Sequence, residues 1–272
     1  MHSHVASPVR NRDIQKQFAV AVVIPTVLRP HLRWALESVF RQDLEGSIQV
    51  LIGIDKPLGE RSLLDALLLE APPNVHITVL DPGYSTSVRH GGIYSTHYGG
   101  ALRTILSYLA NSHYIAYLDD DDWFAPGHLS SLLTAIRGHA WAYSLRWYGH
   151  PARPEGLCID EWESTGPDTG IFKERFGGFV APSCMMLDKS VCHMLLPFWS
   201  VAMFADGGGE DRRIFEKLRG HGFPGSATHR ATSYCTLDPN DAAHPLRIEW
   251  MRGKGVDLPD DWLEGPPRLV GR

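Results

Sequence analysis

Cysteine is scarce in this chain of 272 residues, and none of its four cysteines belongs to a Cys-x-x-Cys pair. Structural zinc sites commonly use such pairs, so their absence argues against a zinc-stabilised fold. The spacing is also too irregular for the disulfide framework of a small secreted domain. We therefore expect reduced thiols and a cytoplasmic protein; the four residues are Cys158, Cys184, Cys192 and Cys235.

Long apolar runs are missing as well. No segment approaches the roughly 20 consecutive apolar residues that cross a bilayer, so we expect no transmembrane segment. Peripheral association with a membrane stays open. Residues 1–17 are polar and lack the apolar core of a secretory signal, and we expect them to form a disordered lead.

The chain has no excess of positive charge. Its 26 Lys and Arg residues are outnumbered by 31 Asp and Glu residues, which gives a formal net charge of -5. This balance argues against nucleic acid as a partner. A phosphate-bearing ligand is still compatible with it if a metal ion mediates the contact.

Apolar strand patterns alternate with helical patterns through the first half. The continuous apolar run over residues 18–24 predicts a strand that is buried on both faces. Such alternation predicts βαβ units and a largely parallel sheet. The same reasoning predicts further strands over 49–54, 75–80 and 114–118, helices over 61–70 and 101–110, and a first helix with Leu32, Leu36 and Val39 on one face.

The second half is less regular. We expect the Gly- and Pro-rich stretch 151–179 to be a loop-rich insertion and residues 253–272 to be a tail that lies on the surface. Between them, the patterns predict helices over 126–137 and 210–220, and strands over 140–148 and 183–187.

Four consecutive carboxylates, Asp119 to Asp122, follow the fourth predicted strand directly. Neighbouring carboxylates repel one another, which raises their pKa values unless a cation is present. Mg²⁺ or Mn²⁺ typically takes one or two carboxylates from the protein and fills its other positions with water and phosphate oxygens. The simpler alternative is an acidic, solvated turn, but Trp123 and Phe124 favour a partly buried turn and therefore a metal site.

A second acidic pair, Glu210 and Asp211, follows three consecutive glycines at a predicted helix start. Flexible glycines can deliver both carboxylates to a site, and the helix dipole helps to keep them ionised. The alternative is that they only stabilise the first helical turn. The triple glycine has no obvious capping purpose, which favours a general base at this position.

Four segments follow one another along the chain in a characteristic order: VVIPT at 22–26, LESVFRQ at 36–42, YIAYLDDDDW at 114–123 and GEDRRIFEKL at 209–218. In these segments the chain resembles glycosyltransferase family 2, an inverting family with the GT-A fold. The resemblance implies an α/β protein with a Rossmann-like, mostly parallel central sheet flanked by helices and a loop-rich, acceptor-side second half. It further implies one structural domain, with residues 18–125 binding the nucleotide sugar and 126–252 binding the acceptor and supplying the base.

The acidic run matches the DXD motif of that family. The resemblance implies that Asp121 ligates the metal, with Asp119 as a second candidate ligand. Asp119 or Asp120 would contact the donor ribose or assist, and the register within the run is open by one residue. The third protein ligand is also open, because the last predicted strand region lacks the histidine that family members often place there.

Other positions match the donor side of the family pattern. Pro25 and Thr26 correspond to the segment that borders the nucleotide, and Asp55 to the residue that contacts the base. Arg103 stands where the family often places a basic residue facing the diphosphate. Thr26 and Asp55 could equally close turns, and Arg103 could lie on a helix surface; Arg89 and His97 are weaker candidates in the neighbouring loop.

On the acceptor side, the resemblance assigns the general base to Asp211, with Glu210 in support and Asp206 in reserve. Aromatic side chains can supply an acceptor platform, although most tryptophans pack in cores or loops. The candidates are Trp141, Trp147, Trp162 and Trp199.

The expected activity is that of a metal-dependent, hexosyltransferase-type enzyme. It would move a sugar from a nucleotide-diphosphate sugar, with a UDP-sugar as the expected donor, to a saccharide or other hydroxyl acceptor with inversion in a single displacement. The cofactor would be Mn²⁺ or Mg²⁺. Two alternatives are a nucleotidyltransferase, which should have a glycine-rich loop where residues 25–30 have no glycine, and a non-catalytic metal- or sugar-binding module, which would not need Glu210 and Asp211.

Overall fold

The computed structural model of the chain describes residues 17–97 and 99–263. The expected disordered lead therefore lies outside the described residues, except for Gln17. The strands are β1 (Val20–Thr26), β2 (Ile48–Ile54), β3 (Val75–Leu80), β4 (Tyr114–Tyr117), β5 (Trp123–Phe124), β6 (Trp141–His150), β7 (Arg153–Ile159), β8 (Gly166–Pro167), β9 (Gly178–Phe179), β10 (Met185–Asp188) and β11 (Gly225–Thr236).

Helices connect the strands on both sides of the sheet. They are α1 (Leu32–Phe40), α2 (Arg61–Glu70), α3 (Gly100–Leu109), α4 (His128–Ala135), α5 (Lys173–Phe176), α6 (Lys189–Cys192), α7 (Glu210–Gly220), α8 (His244–Gly253) and α9 (Asp260–Leu263). Three short 3-10 helices at Val88–His90, Pro182–Cys184 and His193–Ser200 complete the described elements.

Nine strands of the described part of the chain form one sheet in the order β3-β2-β1-β4-β10-β6-β11-β5, with β7 paired to β6. The four strands of the first half are parallel, as the βαβ pattern predicted. Beyond them the sheet is mixed, because β10 runs antiparallel to both β4 and β6. The predicted α/β fold class is confirmed.

The two faces of β1 belong to two different cores. Val20, Val22 and Ile24 are fully buried among side chains of α1, α2 and α4. Ala21 and Val23 face the opposite way, into a core that contains side chains of α3 and α7. The continuous apolar run therefore marks a strand with helices on both sides, as its sequence predicted.

The expected loop-rich insertion at 151–179 is partly wrong. Its first residues turn back as β7 and pair with β6 in an antiparallel hairpin. Pro154 and Gly156 weaken the strand pattern in this segment. Both residues are tolerated because β7 pairs on one side only, and proline is compatible with such an edge strand.

The expectation of a surface tail is also wrong for the described residues after α8. Leu258 and Trp262 are only 8% and 6% exposed, and they pack in a third core with Tyr148 and Met251. Burial of these two apolar side chains holds the segment against the sheet.

All four cysteines are free thiols, and none of the helices within 17–97 and 99–263 is long and apolar enough to cross a bilayer.

Truncation of Leu36 tests the core on the α1 side. Leu36 is fully buried, so Leu36→Ala should lower the free energy of unfolding by about 2–5 kcal/mol through lost burial and a residual cavity. Leu69→Ala is the matched control, since Leu69 is 89% exposed and should change stability by less than about 0.5 kcal/mol. Urea unfolding measures both; equal losses would contradict this packing.

Candidate active site

The acidic run forms a tight turn at the carboxyl end of β4, between the central strands and β5. The amide of Leu118 still donates to the carbonyl oxygen of Val23 at 3.0 Å, so pairing with β1 continues up to the run. The amide of Asp122 then donates to the carbonyl oxygen of Asp119 at 3.1 Å and closes the turn. The run thus lies at the sheet edge where open α/β folds bind ligands.

Asp120 joins the run to the end of β1. Its Oδ2 accepts a hydrogen bond from Thr26 Oγ1 at 2.7 Å and another from the amide of Val27 at 3.1 Å. Asp120 and Thr26 are both buried. Two donors satisfy this buried carboxylate, so its first role is to fix the loop that follows β1.

Asp122 makes the equivalent connection to the second half of the chain. Ser183 Oγ donates to its Oδ2 at 2.7 Å, and the amide of Thr236 donates to its Oδ1 at 3.0 Å. Burial raises the pKa of Asp122 well above its ordinary value. Alternate residues of the run, Asp120 and Asp122, are therefore anchors inside the protein.

The other two carboxylates, Asp119 and Asp121, are half-buried and each pairs with an arginine. Arg103 contacts Asp119, and Arg29 Nη1 lies 2.6 Å from Asp121 Oδ2. Burial raises the pKa of Asp121 to about 7, and the neighbouring carboxylates of the run add to this effect while Arg29 opposes it. These two side chains are the part of the run that a ligand can reach.

Arg103 on α3 connects the run to the second acidic pair. Its guanidinium is 4% exposed and contacts Asp119 on one side, while its Nη1 lies 3.5 Å from Glu210 Oε1. The ring of Trp199 packs under the same guanidinium, with its centroid 5.5 Å from Cζ. Two acidic motifs that are 91 residues apart in sequence thus meet across one arginine.

Glu210 is buried at the start of α7, whereas its neighbour Asp211 keeps a side-chain exposure of 23%. Burial raises the pKa of Glu210 to about 7; Asp211 adds to the shift and Arg103 opposes it. Asp206 is exposed, and its Oδ1 closes a turn by accepting from the amide of Gly208 at 3.0 Å.

The three glycines before Glu210 have a structural purpose, contrary to the expectation from the sequence. Gly209 is the N-cap residue of α7, and the glycines also allow a close contact between two loops. Gly207 and Gly209 have φ angles of 92° and 79°, a region that favours glycine. A side chain on Gly207 would collide with His97, whose amide donates to the carbonyl oxygen of Gly207 at 3.2 Å. The loop after β3 therefore packs against the loop that leads into α7.

Asp55 holds the near end of that same loop. Ser85 Oγ donates to its Oδ2 at 3.0 Å, and the amide of Thr86 donates to its Oδ1 at 2.8 Å. Pro25, on β1, leaves no room for a side chain on Gly99 at the start of α3. Asp55 and Pro25 thus lie at the carboxyl ends of neighbouring strands.

The candidate residues fall into two neighbouring groups, which meet at the end of β1, where Pro25 and Thr26 are adjacent. Direct contacts join Thr26 to Asp120, Asp119 to Arg103 and Arg103 to Glu210. Asp55 and Pro25 contact the loop after β3 and the start of α3 instead. The sequence patterns missed Arg29, Ser183 and Thr236, although the place of Arg29 directly after β1 was a signal that could have identified it.

The four tryptophans considered for an acceptor platform differ in how deeply they are buried. Trp141 and Trp199 are fully buried, so they pack in the core and offer no open platform. Trp147 stacks on Tyr234 at 6.3 Å between ring centroids, and Trp162 stacks on Trp250 at the same distance.

Comparison with known proteins places the fold. No protein-family model and no curated protein matches the chain. Among solved structures, S. aureus TarS 1-349 in complex with UDP-GlcNAc matches with a TM-score of 0.56 and 14% identity, over 89% of this chain and 68% of that one. The mannosyltransferase PcManGT from Pyrobaculum calidifontis, in complex with GDP-Man and Mn²⁺, matches with a TM-score of 0.54 and 14% identity, over 88% and 62%.

The fold is of the GT-A type. At 14% identity these likenesses show the fold alone. The chain spans 68% of the TarS 1-349 structure and 62% of the mannosyltransferase.

A divalent metal fits the half-buried part of the acidic run. Within the described ranges, no group of three or more His, Cys, Asp and Glu side chains is arranged to hold an ion. Mg²⁺ and Mn²⁺ do not need such a group, because they commonly take one or two carboxylates and complete their shells with water and phosphate oxygens. Asp119 and Asp121, with side-chain exposures of 32% and 30%, offer that donor set.

The raised pKa of Glu210 predicts a pH dependence of stability. Between about pH 4.5 and 7, the folded state keeps a proton that the unfolded state releases. This contribution is full below pH 4.5 and is lost as pH rises through 7. The free energy of unfolding of the wild type minus that of Glu210→Gln should therefore fall by roughly 3 kcal/mol across this window.

Chemical denaturation at stepped pH measures this difference. Glu216→Gln is the control, because Glu216 is an exposed side chain on the same helix and its replacement should leave the wild-type profile unchanged. A difference between wild type and Glu210→Gln that stays flat or rises with pH would contradict the burial of Glu210 beside Asp211.

Proposed function

We propose that the chain is a glycosyltransferase of the family 2 type, which moves a hexosyl group from a nucleotide-diphosphate sugar to an acceptor hydroxyl with inversion. One observation carries the proposal: Arg103 contacts both Asp119 of the first acidic motif and Glu210 of the second. An inverting transfer needs a donor site and a base that meet around one sugar carbon. The GT-A-type fold supports it, as do the UDP-GlcNAc and the GDP-Man with Mn²⁺ in the complexes of its structural neighbours.

The donor nucleotide would bind at the carboxyl ends of β1 and β2, bordered by Pro25, Thr26 and Asp55. Asp55 already accepts three hydrogen bonds, from Ser85 Oγ, the Thr86 amide and Thr86 Oγ1. A carboxylate has about four acceptor sites, so one remains for an N–H of the base. A UDP-sugar is the proposed donor, and residues 18–125 would supply most of this half of the site.

Asp121, with Asp119 beside it, would hold Mn²⁺ or Mg²⁺. When bound, such an ion stabilises negative charge on the departing diphosphate as a Lewis acid. Asp120 would fix the loop after β1 next to the donor ribose through Thr26 and Val27. Arg103 would act on the diphosphate side through Asp119, since its own guanidinium is buried.

The transfer itself is a single displacement. The acceptor oxygen forms a bond to the anomeric carbon while the bond from that carbon to the phosphate oxygen breaks, and its electron pair leaves with the diphosphate. The acceptor proton passes to Asp211, which is partly exposed at the start of α7. Glu210 would hold that helix start against Arg103, and residues 126–252 would bind the acceptor.

A thermal-shift screen of nucleotide diphosphates with and without Mn²⁺ tests the donor site. UDP with Mn²⁺ should stabilise the fold, by about 2.7 kcal/mol at a hundredfold excess over Kd, whereas ADP should not. The donor class so identified is then assayed for hydrolysis and transfer. A protein that binds Mn²⁺ but never turns over a nucleotide sugar would be a binding module, and the proposal would fail.

Replacement of the proposed base separates binding from chemistry. Asp211→Asn should leave donor affinity unchanged while transfer falls about a hundredfold or more, because the acceptor proton loses its destination. Glu216→Gln, on the exposed face of the same helix, should keep wild-type turnover. Unchanged turnover in Asp211→Asn would remove Asp211 from the mechanism, and a loss in Asp206→Asn instead would assign the base there.

A further inference from the structure

Arg29 covers the open side of the acidic run. Its Nη1 lies 2.6 Å from Asp121 Oδ2 and 3.4 Å from Asp120 Oδ1. The side chain of Arg29 is 45% exposed, whereas Arg103, on the other side of the run, is 4% exposed. Two arginines thus neutralise different carboxylates of the same run, Arg103 from inside the protein and Arg29 from the solvent side.

The backbone around Arg29 is fixed by contacts that do not involve its guanidinium. Leu28 is buried and has a φ of 63°, which is uncommon for a residue with a branched side chain. Its amide donates to Thr26 Oγ1 at 2.8 Å. The amide of Leu58 donates to the carbonyl oxygen of Val27 at 2.9 Å, and any side chain on Gly59 would collide with the carbonyl oxygen of Leu28.

A strained backbone conformation persists only where its surroundings enforce it. In this loop two of the enforcing groups, Thr26 and Asp120, belong to the acidic site itself. The loop therefore holds Arg29 beside Asp121, and the long side chain is 45% exposed.

The ion pair between Arg29 and Asp121 is partly open to solvent, since the two side chains are 45% and 30% exposed. Water and salt screen such a pair, which allows it to exchange; fully exposed pairs contribute about 0–1 kcal/mol. A divalent cation at Asp121 carries twice the charge and competes for the same oxygen. A guanidinium released from a carboxylate also matches a phosphate group, which it can bind through two parallel N–H donors.

We propose that Arg29 is an exchangeable counterion of this site. It neutralises Asp120 and Asp121 while the site is empty, and it turns to the donor diphosphate once a divalent cation takes its place at Asp121. The inference rests on the proposed function, since it concerns the same donor site.

Mn²⁺ binding to the protein without nucleotide tests the first half of the exchange. The paramagnetic resonance signal of free Mn²⁺ gives the affinity of each variant. Arg29→Gln removes the competing charge, so it should bind Mn²⁺ about threefold to fivefold more tightly than the wild type. Arg29→Lys keeps the charge and should stay within about twofold of the wild type, by the same reasoning.

UDP binding at saturating Mn²⁺, measured by calorimetry, tests the second half. Arg29→Gln should bind UDP about tenfold more weakly, because one charge-assisted contact to the diphosphate is lost. Arg33→Gln is the matched control: Arg33 is also a half-exposed arginine, but it pairs with Glu37 and Glu70 and should leave both affinities unchanged. Thermal unfolding of the ligand-free variants checks that each is folded.

The outcomes separate this inference from the proposed function. Tighter Mn²⁺ binding together with weaker UDP binding in Arg29→Gln supports the exchange. Wild-type Mn²⁺ affinity in Arg29→Gln overturns it. The exchange is also overturned if UDP binds without Mn²⁺ and neither the wild type nor Arg29→Gln binds the ion. If no nucleotide diphosphate binds the wild type under any condition, the proposed function fails instead.

Discussion

Repulsion among four consecutive carboxylates at the carboxyl end of β4 is the constraint on which the rest of the site depends. The protein reduces this repulsion by placing alternate carboxylates in different surroundings. Asp120 and Asp122 turn inward and accept hydrogen bonds from neutral donors of three different segments. Asp119 and Asp121 turn toward the site and pair with Arg103 and Arg29. Two aspartates thus fix the turn, and the other two stay partly exposed to a ligand.

Arg103, which contacts the acidic run, also explains the position of the second acidic pair, Glu210 and Asp211. Arg103 is buried, and a single carboxylate on one side would leave much of its guanidinium without an acceptor. Glu210 supplies the second contact, so the start of α7, which also carries Asp211, meets the arginine that contacts the run. The proposed donor site in the first half of the chain is in this way joined to the proposed base in the second half.

Much of the fold could be predicted because local patterns determined it. The bounds of α2, β3 and α7 agree with their sequence patterns, since strong apolar periodicity and clear end signals coincide there. The β7 hairpin and the packed segment around Trp262 could not be predicted in this way. Their stability comes from contacts with β6 and α8 rather than from their own composition.

The candidate site, like the fold, could be predicted only where a local sequence pattern determines it. The sequence predicted where the run lies, because a strand end is a local property. It did not predict the partners of the run, because Thr236 and Ser183 are distant in the chain and reach the run only through the order of the strands. Arg103 was expected to face a diphosphate or solvent, and only the packing of α3 against the 3-10 helix that carries Trp199 shows it to be buried.

The central claim is that the half-buried carboxylates of the run bind a divalent cation together with a nucleotide diphosphate. A crystal structure of the protein with Mn²⁺ and UDP tests it most directly, because the anomalous signal of manganese locates the ion without ambiguity. The account predicts the ion at Asp121, with the diphosphate beside it and the uracil at the ends of β1 and β2. Manganese and UDP bound elsewhere, with the mouth of the sheet empty, would contradict it.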